Sequence, residues 1–215
     1  MSAVSSVSAV SSVSSFERSR YHHGNLRATL LESAERLLED VGAAELSLRE
    51  LARQAGVSHG APRQHFPDRR ALLDALAVLG FDRLGAELDS ALAGAAGPFA
   101  ARLEVFAQAW VGFATARPAL LELMFASKNR PAAAELRVVA DRAFAVSSAM
   151  IAQAQLDGEI GGVADGGERD RIAMAIFATL QGLAALITSG MSGDRPVGAL
   201  ITGTIRTLVD GLRPR

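Results

Sequence analysis

Between residues 26 and 41 the apolar side chains Leu26, Leu30, Ala34, Leu37, Leu38 and Val41 recur at spacings of three and four, with Glu32, Glu35, Arg36 and Glu39 among them. This is the one-sided stripe of an amphipathic helix. It predicts a first helix over about residues 25–41, stopped at Gly42. Ser47 and Glu50 have the spacing of a capping box, and Leu48, Leu51, Ala52 and Ala55 give a second helix, about 48–54, its apolar face. AGV at 55–57 then reads as a tight turn, with Gly56 suited to a positive φ. A short third helix ends near His65–Phe66. Asp68 is the expected N-cap of a fourth, which begins at Arg69, carries Leu72, Leu73, Leu76 and Leu79, and runs toward Leu92.

Further helices are expected at about 98–115, 118–127, 131–156, 168–189 and 196–212. Gly97-Pro98, Arg117-Pro118, Arg130-Pro131, the glycine-rich stretch 157–168 and SGDRP at 192–196 separate them. No segment alternates with period two, so the chain reads as all-α. Residues 1–15 are Ser/Val/Ala repeats without a charged leader or a continuous apolar core, so 1–20 reads as a disordered tail rather than a signal peptide. A three-helix helix-turn-helix domain over 21–70 and a helical domain over 71–215 follow. The most apolar run, Ile172–Thr188, carries Gln181 and Gly182 and reads as a buried helix; no membrane span is expected.

Pro62 decides how the third helix starts. With Ser58 as the cap, proline falls at the fourth helical position and loses a backbone bond. With a start near Ala61 it sits in the first turn, where it is tolerated. The later start is the expected one, and Pro62→Ala is then expected to leave stability nearly unchanged.

Composition narrows the chemistry. The 215 residues contain no cysteine, which excludes disulfides, Cys-ligated zinc and a thiol nucleophile and fits a cytoplasmic protein. The four histidines, 22, 23, 59 and 65, are an adjacent pair and two residues six apart, not the three or four converging ligands of a zinc site. No Ser–His–Asp order, carboxylate pair or phosphate-binding glycine loop is present, so neither an enzyme nor a cofactor is expected. Net charge is −1, and residues 16–70 hold nine arginines against eight acids, which allows a local basic face but not a basic domain.

Two short helices joined by a glycine turn after a longer helix form a helix-turn-helix pattern, whose last helix meets base edges in the major groove. SHGAPRQH at 58–65 supplies small residues for close approach (Ser58, Gly60, Ala61) and polar reach (His59, Arg63, Gln64, His65). The arm Arg18, Arg20, Tyr21, His22, His23 is equally compatible with a minor-groove contact and with a solvated lead-in to the first helix.

The runs LLESAERLLEDVG, SLRELARQAGVS and HFPDRRALL resemble the DNA-binding domain of the TetR family of bacterial regulators, which typically reads GVSxGxxYxHFxxKxxLL here. YHHGNLR before the first helix and WVGFATARPALLELMF at 110–125 resemble the subgroup with a WHG-type C-terminal domain. The resemblance implies that Ser47, Arg49, Ser58, His59, Gly60, Ala61, Arg63, Gln64, His65 and Arg69 lie at or near DNA. His59, Ala61 and Gln64 would read bases; Ser47, Ser58, Arg63, His65 and Arg69 would hold phosphates, which set register. Arg63 replaces the family's usual tyrosine, Arg69 its usual lysine, and Gln181 the subgroup's usual histidine.

The resemblance also makes the C-terminal domain a ligand-sensing and dimerisation module. Trp110, Phe113, Met124, Phe144 and Phe177 would line a pocket for a small apolar effector, with Gln108, Gln153 and Gln181 as polar contacts. Ala178, Gly182 and Ala185, with Ile201, Ile205, Leu208 and Val209, would pack the last two helices into a homodimer. The implied protein is a ligand-responsive repressor acting on a palindromic double-stranded DNA operator. The alternative is an α-helical small-molecule-binding protein or enzyme with an incidental helix-turn-helix.

Overall fold

The structure is a computed structural model that describes residues 14–130, 133–161 and 166–212, with side chains from Leu26 onward. Among these residues all regular structure is helical. Two compact units meet inside one helix, between Leu72 and Leu73.

The first unit contains α1 (Ser14–Glu45), α2 (Leu48–Gln54), α3 (Ala61–His65) and the first turn of α4 (Arg69–Ala93). Helix α1 starts well upstream of residue 25. The segment from Ser14 holds no proline, and extending a formed helix needs no new nucleus, so Gly24 and Asn25 do not stop it. Residues 1–13 of the expected tail lie outside the described residues. Gly42, with φ 76° and ψ 169°, breaks the helical path where the stop was expected, and a last turn continues to Glu45. Leu30, Ala34, Leu37 and Leu38 are buried as the periodicity requires, and Leu31 joins them. Val41 does not: it is 44% exposed, one residue before the kink turns the chain. Leu46, Leu48, Leu51, Ala52, Phe66 and Leu72 complete the core.

The second unit holds the rest of α4 with α5 (Phe99–Ala116), α6 (Pro118–Lys128), α7 (Ala134–Ala143), α8 (Ala145–Leu156), α9 (Gly166–Thr188) and α10 (Val197–Leu212). Helix α5 is central: it packs against α6, α8, α9 and α10. It buries Phe99, Leu103, Phe106, Trp110, Val111, Phe113 and Ala114. Glu159 accepts from the Phe99 backbone N–H at the start of α5 and stands 3.5 Å from Arg102. Helix α4 meets α6 through a glycine notch. A Cβ on Gly80 would lie 2.5 Å from Met124 Sδ.

The helix expected over 131–156 is two helices, broken at Phe144 with φ −99° and ψ 1°. The break seats the Phe144 ring among Phe81, Phe125 and Phe177, with centroids 6.3–6.4 Å away. Nothing local in the sequence marks it, since the partners come from three other helices. Helix α9 is long and apolar enough to cross a membrane by length and composition, yet it packs on α5, α8 and α10. It is not buried all round. Ile172, Ile176, Leu180, Leu183 and Ala184 face inward, while Ala178, Gln181, Gly182 and Ala185 lie outside that buried stripe and are exposed.

Candidate nucleic-acid interface

Helix α2 starts and stops on local chemistry. The Ser47 hydroxyl accepts from the Glu50 N–H at 3.2 Å, one half of the capping box. The Glu50 carboxylate turns instead to Arg53, accepting from its Nε at 2.9 Å, and that hydrogen bond holds the carboxyl below its ordinary pKa. Arg53, still charged, is thereby paired next to the turn. At the other end, Val57 N–H donates to the Ala52 carbonyl at 3.0 Å and Gly56 N–H to that of Arg53 at 3.3 Å. These are the paired bonds of a Schellman motif, with Gly56 at φ 66° as the left-handed residue.

The turn delivers the chain to α3, which begins at Ala61 with Gly60 at the cap position. Pro62 is therefore in the first turn, as expected for the later start. Its missing N–H costs nothing there because first-turn donors have no partner inside a helix. Its ring is buried, and Phe66 N–H donates to its carbonyl at 2.8 Å. Burial changes the expectation for Pro62→Ala: the ring packs α3 against the unit's core, so its removal has a cost in stability. Ser58 does not cap the helix. Ser58, His59 and Gly60 form the turn before it, with Ala61 N–H donating to the Ser58 carbonyl at 3.0 Å.

The sequence-derived residues sort by exposure. Arg49, Ser58, His59, Gly60, Arg63 and Gln64 are exposed; Ser47, Ala61 and His65 are half-buried. Ala61 and Gln64, three apart, share the outer face of α3, flanked by Arg63. His65 leans inward: its Nε2 is buried without a partner among the described residues, and its ring lies 6.4 Å from that of Phe66. Arg69 has a job that spacing did not reveal. Its Nε donates to the Leu46 carbonyl at 2.7 Å, and its Nη2 to the carbonyls of Ala43 and Ala44. It ties the end of α1 to the start of α4. Asp68 caps α4, accepting from the Ala71 N–H at 2.8 Å. Arg27, which the sequence did not single out, stands 5.4 Å over the Phe66 ring and covers the end of α3.

The second unit contains a cavity of about 630 Å³ between α5, α6, α7, α8 and α9. Three of the expected lining residues, Trp110, Phe144 and Phe177, are there. Phe113 and Met124 are buried but are not part of its wall. Gln181 is exposed on the far face of α9, and Gln108 and Gln153 bond to Glu104 and Asp157 close along the chain. The polar lining is instead Lys128, Asn129, Asp141, Ser147, Ser148 and Asp170. Phe106 shares the aromatic wall with Trp110, one turn away on α5, a spacing the sequence could have supplied. The polar set spans four helices and had no such signal.

The model of bacterial regulatory proteins, tetR family, matches residues 30–76, and that of the tetracyclin repressor-like C-terminal domain matches 103–208. Among solved structures, a protein of unknown function from Rhodococcus sp. RHA1 is 42% identical with a TM-score of 0.81, covering 90% of this chain and 98% of its own. The TetR family transcriptional regulator PfmR from Thermus thermophilus is 20% identical with a TM-score of 0.67, covering 86% and 99%. A TetR family regulator from Marinobacter aquaeolei VT8 is 17% identical with a TM-score of 0.74, covering 91% and 100%. These last two share the fold alone. Comparison with curated proteins gives no match. The helix-turn-helix built on the Gly56 turn and the helical unit around α5 are each matched by a domain of one family, and the chain belongs to the tetR family of bacterial transcriptional regulators.

Proposed function

We propose that this regulator is a cytoplasmic, sequence-specific repressor that binds a palindromic operator as a homodimer and responds to a small, largely apolar effector. The observation that carries the DNA-binding half is the loading of α3. A short helix, held by the Schellman turn on one side and by buried Pro62 and Phe66 on the other, exposes Arg63 and Gln64 beside small Ala61. Gln64 suits adenine and Arg63 guanine or a phosphate. His59 reaches from the turn, and Ser47, Arg49 and Ser58 flank it for phosphates. His65 would meet a phosphate through Nδ1, since Nε2 is buried.

Dimerisation through α9 is supported by its outer face, where Gly182 and Ala185 are exposed beside Ala178 and Leu186 is 44% exposed. The stripe on α10 expected to join them is otherwise engaged. Ile201, Ile205 and Val209 are buried, on a helix packed against α5, and Thr202 bonds to Glu104 at 2.6 Å. We read the C-terminal unit as WHG-type from the W-V-G-F run at 110–113. Effector binding would favour a dimer geometry whose α3 helices no longer match successive major grooves, with a coupling of about 1–3 kcal/mol.

The test is selection of binding sites from a random duplex library with the purified protein. A palindromic site whose affinity falls steeply with salt and drops with Arg63→Ala is the expected result. No enrichment, or enrichment that Arg63→Ala and Gln64→Ala leave intact, overturns the assignment.

A further inference from the structure

We infer that the cavity in the second unit is built for a planar aromatic compound that is not an anion and whose buried end carries a hydrogen-bond acceptor such as a carbonyl, received by the indole N–H of Trp110. The inference rests on reading this unit as the sensor and adds the chemistry of what it senses. The aromatic part follows from the wall: Phe106, Trp110, Phe125, Phe144 and Phe177 all line one cavity. The rings of Trp110, Phe125, Phe144 and Phe177 meet edge-on or tilted, Trp110 with Phe177 at 5.9 Å and 86°, and Phe125 with Phe177 at 5.2 Å. Tilted rings around one space offer both faces and edges to a flat guest. At about 630 Å³ the cavity takes a two- to four-ring compound.

The acceptor follows from Trp110 itself. The residue is 1% exposed, and its Nε1 is buried with no hydrogen-bond partner among the described residues. A buried indole N–H normally has a partner. Here Trp110 lies on the cavity wall, so the cavity's occupant is the group placed to supply one. The exclusion of an anion follows from the rim. Lys128 is the single cation among the described lining residues. It stands 4.0 Å from Asp141 and 6.0 Å over the Phe144 ring. Its charge is answered inside the protein, and Asp170 adds a second carboxylate that disfavours an anionic guest.

The probes are 9-fluorenone, fluorene (the same frame without the carbonyl) and 9-fluorenone-4-carboxylate, titrated calorimetrically into the full chain without DNA. Fluorenone is expected to bind about tenfold more tightly than fluorene, and the carboxylate more weakly than fluorenone. Trp110→Phe should bring fluorenone and fluorene within about twofold of each other, and Ser148→Trp at the exposed edge should abolish binding of both. Because Trp110 is the chain's one tryptophan, its indole N–H gives a single proton–nitrogen resonance. Fluorenone should shift that resonance downfield and fluorene should not, a readout that needs no variant. Equal affinities, a preference that survives Trp110→Phe, an unmoved resonance, or no binding at all overturns the acceptor site. A carboxylate that binds more tightly than fluorenone overturns the exclusion of an anion. Operator binding is measured separately on probe-free protein, so its failure would strike the repressor reading and leave these results standing.

Discussion

Arg69 Nε donates to the Leu46 carbonyl at 2.7 Å, and its Nη2 also bonds the carbonyls of Ala43 and Ala44. One side chain from the first residue of α4 thus satisfies acceptors that the end of α1 leaves open. The position is the one the family resemblance assigns to a phosphate contact. The two roles separate experimentally. Arg69→Ala should lower unfolding stability by about 1 kcal/mol, seen as a shift in urea midpoint. Arg69→Lys should retain most DNA affinity yet recover little stability, because an ammonium lacks the guanidinium's fork.

Arg63 is exposed on α3, and no contact among the described residues gives it a comparable task in holding the unit together. Arg63→Ala should leave the urea midpoint within about 0.5 kcal/mol of the wild type. If it grips a phosphate, binding should weaken across all sequences and the salt slope fall by about one; if it reads guanine, discrimination at one base pair should be lost. Operator titrations at several salt concentrations decide between them.

The Gly56 turn sets the entry to α3. Gly56→Ala forces a Cβ into φ 66° and should cost about 1 kcal/mol. Pro62→Ala should cost a similar amount by removing a buried ring at the start of α3. Chemical denaturation followed by circular dichroism measures both.

Two glycines in the second unit should respond with opposite signs. Gly80→Ala places a Cβ 2.5 Å from Met124 Sδ, and should destabilise by about 1–3 kcal/mol through overpacking. Gly112 is exposed within α5 with nothing within 4 Å of an added Cβ, so Gly112→Ala should stabilise by about 0.5–1 kcal/mol. Thermal melts of the pair check the packing of α4 on α6.

The outer face of α9 and the inner face of α10 should also differ. Gly182→Arg should yield a folded monomer by light scattering, whereas Ile205→Asp should unfold the unit, since a charge would be buried against α5. A Gly182→Arg protein that remains dimeric would move the interface elsewhere.

The sequence by itself determined what depends on residues close along the chain. The α1 stripe, the Ser47 and Asp68 caps, the Gly56 turn, the break at Gly42 and the place of Pro62 all follow from local backbone chemistry at spacings of three and four. The tertiary structure decided what depends on residues brought together from afar. It bent the chain at Phe144 to seat a ring among three others, committed Arg69 to the end of α1, and buried the α10 stripe that periodicity left free to pair. It also gathered the cavity's polar rim from four helices and left Trp110 Nε1 without a partner among the described residues. Periodicity can mark which face of a helix is apolar, but not whether that face meets its own core or another chain, because burial depends on what packs against it.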